Sequence, residues 1–265
     1  MNKSELLTKY IKQEDKLLVS KLIDKIEEVN KKNKIVYTDF LNLYEKSICL
    51  KILQEEKINY ILYGGYKDSE REIYIIYPQK YSEEIVLKNV KNEIKIIRII
   101  LPNMLKGKYQ HKDYLGGLMK LGIKREKIGD IIVDDNGADI IVKNEMITYL
   151  ENEIKNLTRF SKSKVTIENI DNLKFAEKEL KEIEILISSL RLDCVIAELT
   201  NTSRSKTNEI IDEQRVFINY QNEENNSRML KQGDILTIRG KGKFIIDNIK
   251  GYTKKNRIIL NILKY

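Results

Sequence analysis

Arg191-Leu192-Asp193-Cys194-Val195-Ile196-Ala197-Glu198-Leu199-Thr200, then Asn201-Thr202-Ser203, then Arg204-Ser205-Lys206-Thr207-Asn208-Glu209-Ile210-Ile211-Asp212-Glu213, is the stretch that decides the fold. Leu192, Val195, Ile196 and Leu199 recur at i, i+3, i+4 and i+7, a complete apolar stripe for one helix face. Asn201-Thr202-Ser203 breaks that helix, and Ser203 is placed to cap a second one through about Glu213, with Ile210 and Ile211 inward. A short strand, Ile183–Ile187, precedes the pair. Val216-Phe217-Ile218-Asn219, Ile235-Leu236-Thr237-Ile238 and closing runs at 244–249 and 257–263 follow it. Two short helices on a small sheet are therefore predicted for residues 182–265.

This segment also carries the chemistry. The first amides of a helix lack intrahelical partners and bear partial positive charge, so a helix start attracts phosphate. Arg204 and Lys206 stand at the first and third positions of the second helix, behind Ser203, and Arg191 opens the helix before it. Arg215 and Asn219 follow the second helix, and Arg239, Lys241 and Lys243 cluster in a Gly-rich turn. Any one of these is most simply a solvated surface charge; their grouping favours RNA. The chain of 265 residues has a net charge of +8, itself weak evidence in a Lys-, Ile- and Asn-rich sequence. Its distribution says more: Leu190–Tyr265 holds 14 of the 48 Lys/Arg but only 9 of the 40 Asp/Glu. A basic module on a near-neutral body is the pattern expected of nucleic-acid binding.

Working outward, residues 4–32 read as helix, with Leu18, Leu22, Ile26 and Val29 at helical spacing. Thr38-Asp39 is predicted to cap a second helix to about Glu56. Runs 59–63 and 72–77 read as strands around Gly64-Gly65, and Pro78 closes an N-terminal α/β domain, 1–82. The middle stretch, 83–181, has the order β-α-β-β-α-β of a ferredoxin-like domain. Its elements are a strand over Glu93–Leu101, a helix over Lys112–Leu121, a hairpin through Asp134-Asp135-Asn136-Gly137, a helix over Glu145–Lys155 and an extended run Lys164–Ile167. RNA-recognition domains share that order, but their stacking aromatics are missing from these strands. The predicted class is α+β with several domains.

Two cysteines, Cys49 and Cys194, exclude a zinc cluster or a disulfide framework, and no metal or cofactor is expected. The opening Met1-Asn2-Lys3-Ser4-Glu5 lacks the apolar core of a signal peptide. Ile96–Leu101 is too short to span a bilayer and contains Arg98. A cytoplasmic protein with no membrane partner is the expectation.

The C-terminal residues resemble a known family of modules. Arg191-Leu192-Asp193, Ser203-Arg204-Ser205-Lys206, Ile211, Val216, Asn219, Gly233-Asp234-Ile235 and Arg239-Gly240 are similar to the small RNA-binding domain first described in ribosomal protein S-four. The resemblance implies an αL-type module that binds structured RNA through its two helices and adjoining loop. One departure is Gln214, where that family usually has Gly; a turn needing positive φ would strain it. Further upstream, His111-Lys112-Asp113-Tyr114-Leu115-Gly116-Gly117-Leu118 and Leu121-Gly122-Ile123-Lys124-Arg125-Glu126-Lys127-Ile128-Gly129-Asp130-Ile131 resemble the signature block of the bacterial YlmH proteins. Length and domain order are similar as well.

That resemblance implies a ribosome-associated protein acting on rRNA of the large subunit and on peptidyl-tRNA, in quality control of stalled translation, with a link to cell-division loci. On the residues alone, Lys112, Lys124, Arg125 and Lys127 form a possible second RNA surface, with Asp130 placed to cap or pair. Gly116-Gly117 most simply allow close helix packing. His111 has no triad or metal partner suggested by the sequence.

Enzymes that carry an S-four-like module do not fit. Arg159-Phe160-Ser161-Lys162-Ser163 looks like the KMSKS loop of tyrosyl-tRNA synthetases, but no HIGH-like partner exists. Arg191-Leu192-Asp193 belongs to the binding module rather than to a pseudouridine-synthase site. A Gly-x-Gly-x-x-Gly loop for a methyltransferase is missing, as is a Walker motif. The expectation is a non-catalytic RNA-binding protein of unknown oligomeric state. An RNA-modifying enzyme with an unrecognised N-terminal site, or a cell-division adaptor, is the alternative.

Overall fold

Ile73-Tyr74-Ile75-Ile76 is apolar at every position, the mark of a strand covered on both faces. In the structure, a computed structural model that describes residues 3–67, 69–174, 180–219 and 221–265, all four of these side chains are buried. The chain divides into two units, Met1–Phe175 and Ala176–Tyr265.

The first unit opens with α1 (Lys3–Thr8) and α2 (Gln13–Lys32), which buries Val19, Leu22, Ile23, Ile26 and Val29 along one face. Asn33 ends α2 in the left-handed region, φ 51°, its amide donating to the Val29 carbonyl. After β1 (Val36–Tyr37) comes α3 (Leu43–Glu55). Its cap is Asn42, in a capping box with Glu45, and not the expected Thr38-Asp39. The Thr38 hydroxyl instead accepts from the Tyr74 amide at 2.9 Å, and the Asp39 carboxylate holds Lys127 at 2.7 Å. β2 (Tyr60–Tyr63) and β3 (Ile73–Ile76) complete an antiparallel sheet in the order β1-β3-β2.

A helix absent from the sequence reading, α4 (Glu83–Glu93), follows and runs straight into β4 (Ile94–Ile100). Then come α5 (His111–Lys120), β5 (Ile128–Asp134), β6 (Gly137–Lys143), α6 (Ile147–Glu153) and β7 (Lys164–Asn169). These strands form a second sheet in the order β5-β6-β4-β7, antiparallel throughout. The β5–β6 loop is Asp135-Asn136, and Gly137 already belongs to β6. A Cβ there would sit 1.8 Å from the Ile99 carbonyl oxygen, so the close approach to β4 requires glycine.

One face of this sheet packs Ile97, Ile99, Ile140 and Val142 against Tyr114 and Leu118 of α5 and Leu150 of α6. The opposite face packs Ile94, Ile96 and Ile141 against Phe40, Ile73, Ile75, Val86 and Val90. The sequence division at 82/83 thus falls at the start of α4, inside a core that both halves of the unit share.

The second unit consists of β8 (Lys181–Ile187), α7 (Leu192–Thr200), α8 (Arg204–Asp212), β9 (Val216–Ile218), β10 (Gln221–Asn222), β11 (Ile235–Ile238), β12 (Gly242–Tyr252) and β13 (Ile258–Lys264). The sheet order is β10-β9-β11-β12-β13-β8, all antiparallel. Leu192, Val195, Ile196, Ile210 and Ile211 from the helices meet Val216, Leu236, Phe244, Leu260 and Ile262 from the strands in one core.

Candidate nucleic-acid interface

α7 and α8 meet at a three-residue corner fixed by hydroxyls. Thr202 lies 2.7 Å from the Thr200 hydroxyl and 3.3 Å from that of Thr207, and Thr207 donates to the Ser203 carbonyl at 3.1 Å. Thr207 is fully buried, so this polar chain sits beneath the corner and sets the angle between the helices. Sequence reading missed its role; the Thr200, Thr202, Thr207 spacing was the available signal.

The two helix starts differ. Leu192 and Asp193 of α7 donate their amides to the carbonyls of Arg228 and Asn226, at 2.9 and 3.1 Å, so loop 226–230 closes that end. Arg191 is held there by Asp193 in a bidentate pair of 3.1 and 2.7 Å. The Arg191 hydrogen bonds keep the Asp193 carboxyl below its usual range. At α8 the Ser203 hydroxyl accepts only the Lys206 amide, at 3.3 Å. Arg204 and Lys206 are both exposed beside the open amides of the first turn. Lys206 pairs with Glu209 at 2.6 Å, which raises its pKa, while Arg204 has no ion pair among the described residues.

α8 ends in a Schellman turn: Gln214 donates to the Ile211 carbonyl at 2.9 Å, and Arg215 to that of Ile210 at 3.3 Å. Gln214 stands at φ 57°, the strained geometry its sequence position suggested. Arg215 then joins the helix end to the β11–β12 turn. Its guanidinium donates to the Arg239 carbonyl at 2.9 Å, and the Arg239 amide donates back to the Arg215 carbonyl at 2.8 Å. Gly240, at φ 82°, closes that turn; a Cβ there would come within 3.2 Å of the Arg215 guanidinium. Arg239 and Lys241 are exposed and lack ion pairs among the described residues. Lys243 lies 4.3 Å from the Tyr265 ring centre.

The structure therefore gathers Ser203, Arg204 and Lys206 at one end of α8, and Arg215, Arg239, Lys241 and Lys243 at the other. Arg215 is close enough to Lys206 to oppose its protonation. Arg191 sits apart on a closed helix start. Asn219, expected to touch RNA, has both ends of its amide engaged, with Asp234 at 2.8 Å and with the Ile235 amide at 2.9 Å.

In the first unit the predicted second surface does not assemble. Lys112 and Lys124 are exposed, but Arg125 turns inward to the carbonyls of Ile128 and Gly129, at 2.6 and 3.1 Å. Burial and the neighbouring Arg71 lower its pKa to about 10. Lys127 is clasped between Asp39 and Glu145 at 2.7 and 2.6 Å. Asp130 caps a different segment, accepting from the Tyr66 hydroxyl and the amides of Glu70 and Arg71. Of the glycine pair, Gly117 packs: its Cβ position lies 3.0 Å from Phe160, whereas the Gly116 position is open. The Arg159–Ser163 loop is also a packing element, with Phe160 buried and stacked on Tyr114 at 5.1 Å.

Cys49 is fully buried, and burial pushes its thiol pKa up, away from reactivity. No three His, Cys, Asp or Glu side chains converge as a metal site among the described residues. No helix among them is long and apolar enough to cross a membrane.

Comparison with known proteins gives matches of three kinds: family models, a relative and a solved structure. Residues 14–81 match a family model described as "YlmH, N-terminal", and residues 88–174 one described as "Putative RNA-binding domain in YlmH"; together they span more than half of the chain. The chain is 26% identical over 257 residues to the ribosome-associated protein quality control protein P2 of Bacillus subtilis, covering 94% of each. A solved structure, the cell division protein ylmH from Streptococcus pneumoniae, aligns over 62% of this chain and 98% of that one, at 20% identity and a TM-score of 0.49.

Proposed function

The chain belongs to the YlmH family, and from that premise we propose that it is a non-catalytic, cytoplasmic RNA-binding protein of the ribosome. It engages rRNA of the large subunit and peptidyl-tRNA in the quality control of stalled translation. Residues 182–265 act as an S-four-like αL module, and residues 83–181 as a ferredoxin-like domain. The strand order β5-β6-β4-β7 supports the latter, since it is the split βαβ arrangement with its first and second strands separated by the third.

The observation that carries the reading is the open start of α8. Ser203 caps it, Arg204 extends from it without an ion pair, and Arg239 and Lys241 stand free beyond the other end of the same helix. Backbone amides and cations here can converge on the phosphates of a folded RNA strand.

Sedimentation of a cell extract through a sucrose gradient tests this. The protein is expected with the large-subunit fractions at low salt, and released steeply between ~50 and 200 mM salt, as several phosphate contacts demand. Recovery only at the top of the gradient at low salt would overturn the reading.

A further inference from the structure

The face of the β4–β7 sheet that an RNA-recognition domain would offer to bases is covered in this chain by Phe40, Ile73, Ile75, Val86 and Val90. If the first unit touches RNA, it does so elsewhere. Two segments stand out. Residues 102–112 and 154–164 hold seven Lys/Arg and no Asp/Glu, in a unit whose charges otherwise nearly cancel.

Aromatic packing brings these segments together. Tyr109 of the first lies 5.7 Å from Phe160 of the second, edge-on, and its hydroxyl donates to the Arg159 carbonyl at 3.4 Å. Tyr114 stacks on the same Phe160. Arg159 lies 5.4 Å from the Tyr109 ring centre and pairs with Asp113 at 3.1 Å. That pair engages Asp113, whose other oxygen accepts the Gln110 amide, while the Asp135 carboxylate lies 3.7 Å from the Cβ position of Gly107. Register adds Lys164, which faces Ile100 at the end of β4, where the 102–112 segment begins. Lys106, Lys108, Lys112, Lys155, Lys162 and Lys164 are all exposed, and none has an ion pair among the described residues. In the second unit, by contrast, Arg191, Lys206 and Arg215 each hold an acid.

We propose that this lysine patch, Lys106 to Lys112 with Lys155 to Lys164, is a second RNA contact, one that grips the phosphate backbone of a duplex by charge and shape rather than reading bases. Six unpaired ammonium groups on a surface braced by three rings suit a partner of regular, dense negative charge. Exposed base-stacking rings are not needed for that mode, which matches the burial of Tyr114 and Phe160.

The proposal rests on the RNA-binding reading above, and the test separates the two. The full-length chain carrying Lys106→Gln, Lys108→Gln and Lys162→Gln is compared with a control carrying Lys9→Gln, Lys51→Gln and Lys88→Gln. The control removes equal charge from exposed positions elsewhere in the unit. The probe is a fluorescent RNA duplex of about 16 base pairs, with isolated large ribosomal subunits as a second arm. The patch variant should lose about tenfold in duplex affinity and flatten the log–log salt dependence by about two units, at ~0.7–0.9 per lost contact. The control should stay close to wild type, and neither melting temperature should move. The corresponding Lys→Arg triple should bind as wild type does. Equal losses in patch and control, or no loss in either, overturn the proposal while the RNA reading stands. So does a patch variant that keeps the duplex but loses phosphatidylserine vesicles, since the face would then belong to a membrane. A wild type that binds neither duplex nor subunits sinks both.

Discussion

The side-chain amide of Asn219 donates to the Asp234 carboxylate at 2.8 Å while its carbonyl accepts the Ile235 amide at 2.9 Å, which latches β9 to the entry of β11. Asn219 stands at φ 49°, where Asn is tolerated better than most residues. Asn219→Ala is expected to destabilise the second unit by ~1–3 kcal/mol, because it strands the Asp234 contact and leaves Ala in the left-handed region. Asn219→Asp should be worse, facing Asp234 with a second carboxylate. RNA affinity measured well below the melting temperature should fall little in either variant. A large affinity loss with unchanged melting would return Asn219 to the interface.

Gln214 at φ 57° closes the Schellman turn of α8 with a side chain the conformation disfavours. Gln214→Gly should stabilise the protein by up to ~1 kcal/mol. That gain is reduced by loss of the 2.9 Å bond from Gln214 to Glu224. Gln214→Val, β-branched in the same geometry, should lower the melting temperature. Thermal melts of both variants check the pair, and a lower melting temperature for the glycine variant would contradict it.

Arg191 and Asp193 give the second unit a pH dependence. The folded Asp193 pKa lies below its ordinary value of 3.8, so the pair contributes stability that is complete above that value and is lost as pH falls through the folded pKa. Asp193→Asn should therefore melt below wild type at neutral pH, and the gap should close on acidification below about 3.8. Melting curves at several pH values decide it; a gap that persists in acid would assign the loss to packing instead.

The C-terminal unit was the most legible part of the sequence, because Leu192, Val195, Ile196, Ile210 and Ile211 repeat at helical spacing and Ser203 has no competing partner. α4 was not legible: Val86 and Val90 are buried, but Ile85 and Leu87 beside them are exposed, which blurs the stripe. The α3 cap was misplaced because Thr38-Asp39 is locally as good a cap as Asn42. What decides between them is Tyr74 and Lys127, far along the chain. Arg125 read as a surface cation for the same kind of reason. A charge is assigned to solvent by default, and the Ile128 and Gly129 carbonyls that hold it are visible only in three dimensions. The lysine patch stayed hidden because its two segments are some 40 residues apart and joined by Tyr109 and Phe160.

The open start of α8 yields the sharpest test of the interface. Arg204 has no ion pair among the described residues, whereas Lys206 must leave Glu209 before it can serve a phosphate. An exposed pair of that kind is weak, so giving up Glu209 costs Lys206 little. Each charged contact is worth roughly 1.5–3 kcal/mol, and Arg204→Ala should therefore weaken ribosome binding more than Lys206→Ala. Together the two should cost a hundredfold or more. Neither touches the Thr207, Ile210, Ile211 face, so the melting temperature should hold. Glu209→Gln should do the opposite, freeing Lys206 and tightening binding slightly at low salt. Ile211→Ala, by contrast, should cost ~2–5 kcal/mol of stability through the cavity it leaves, and should weaken binding only through unfolding. Cosedimentation with ribosomes at low salt, where the wild type is bound, alongside melting curves, resolves these cases. A double variant that still cosediments would move the main contact away from α8, to the Arg239–Lys243 turn or to the lysine patch of the first unit.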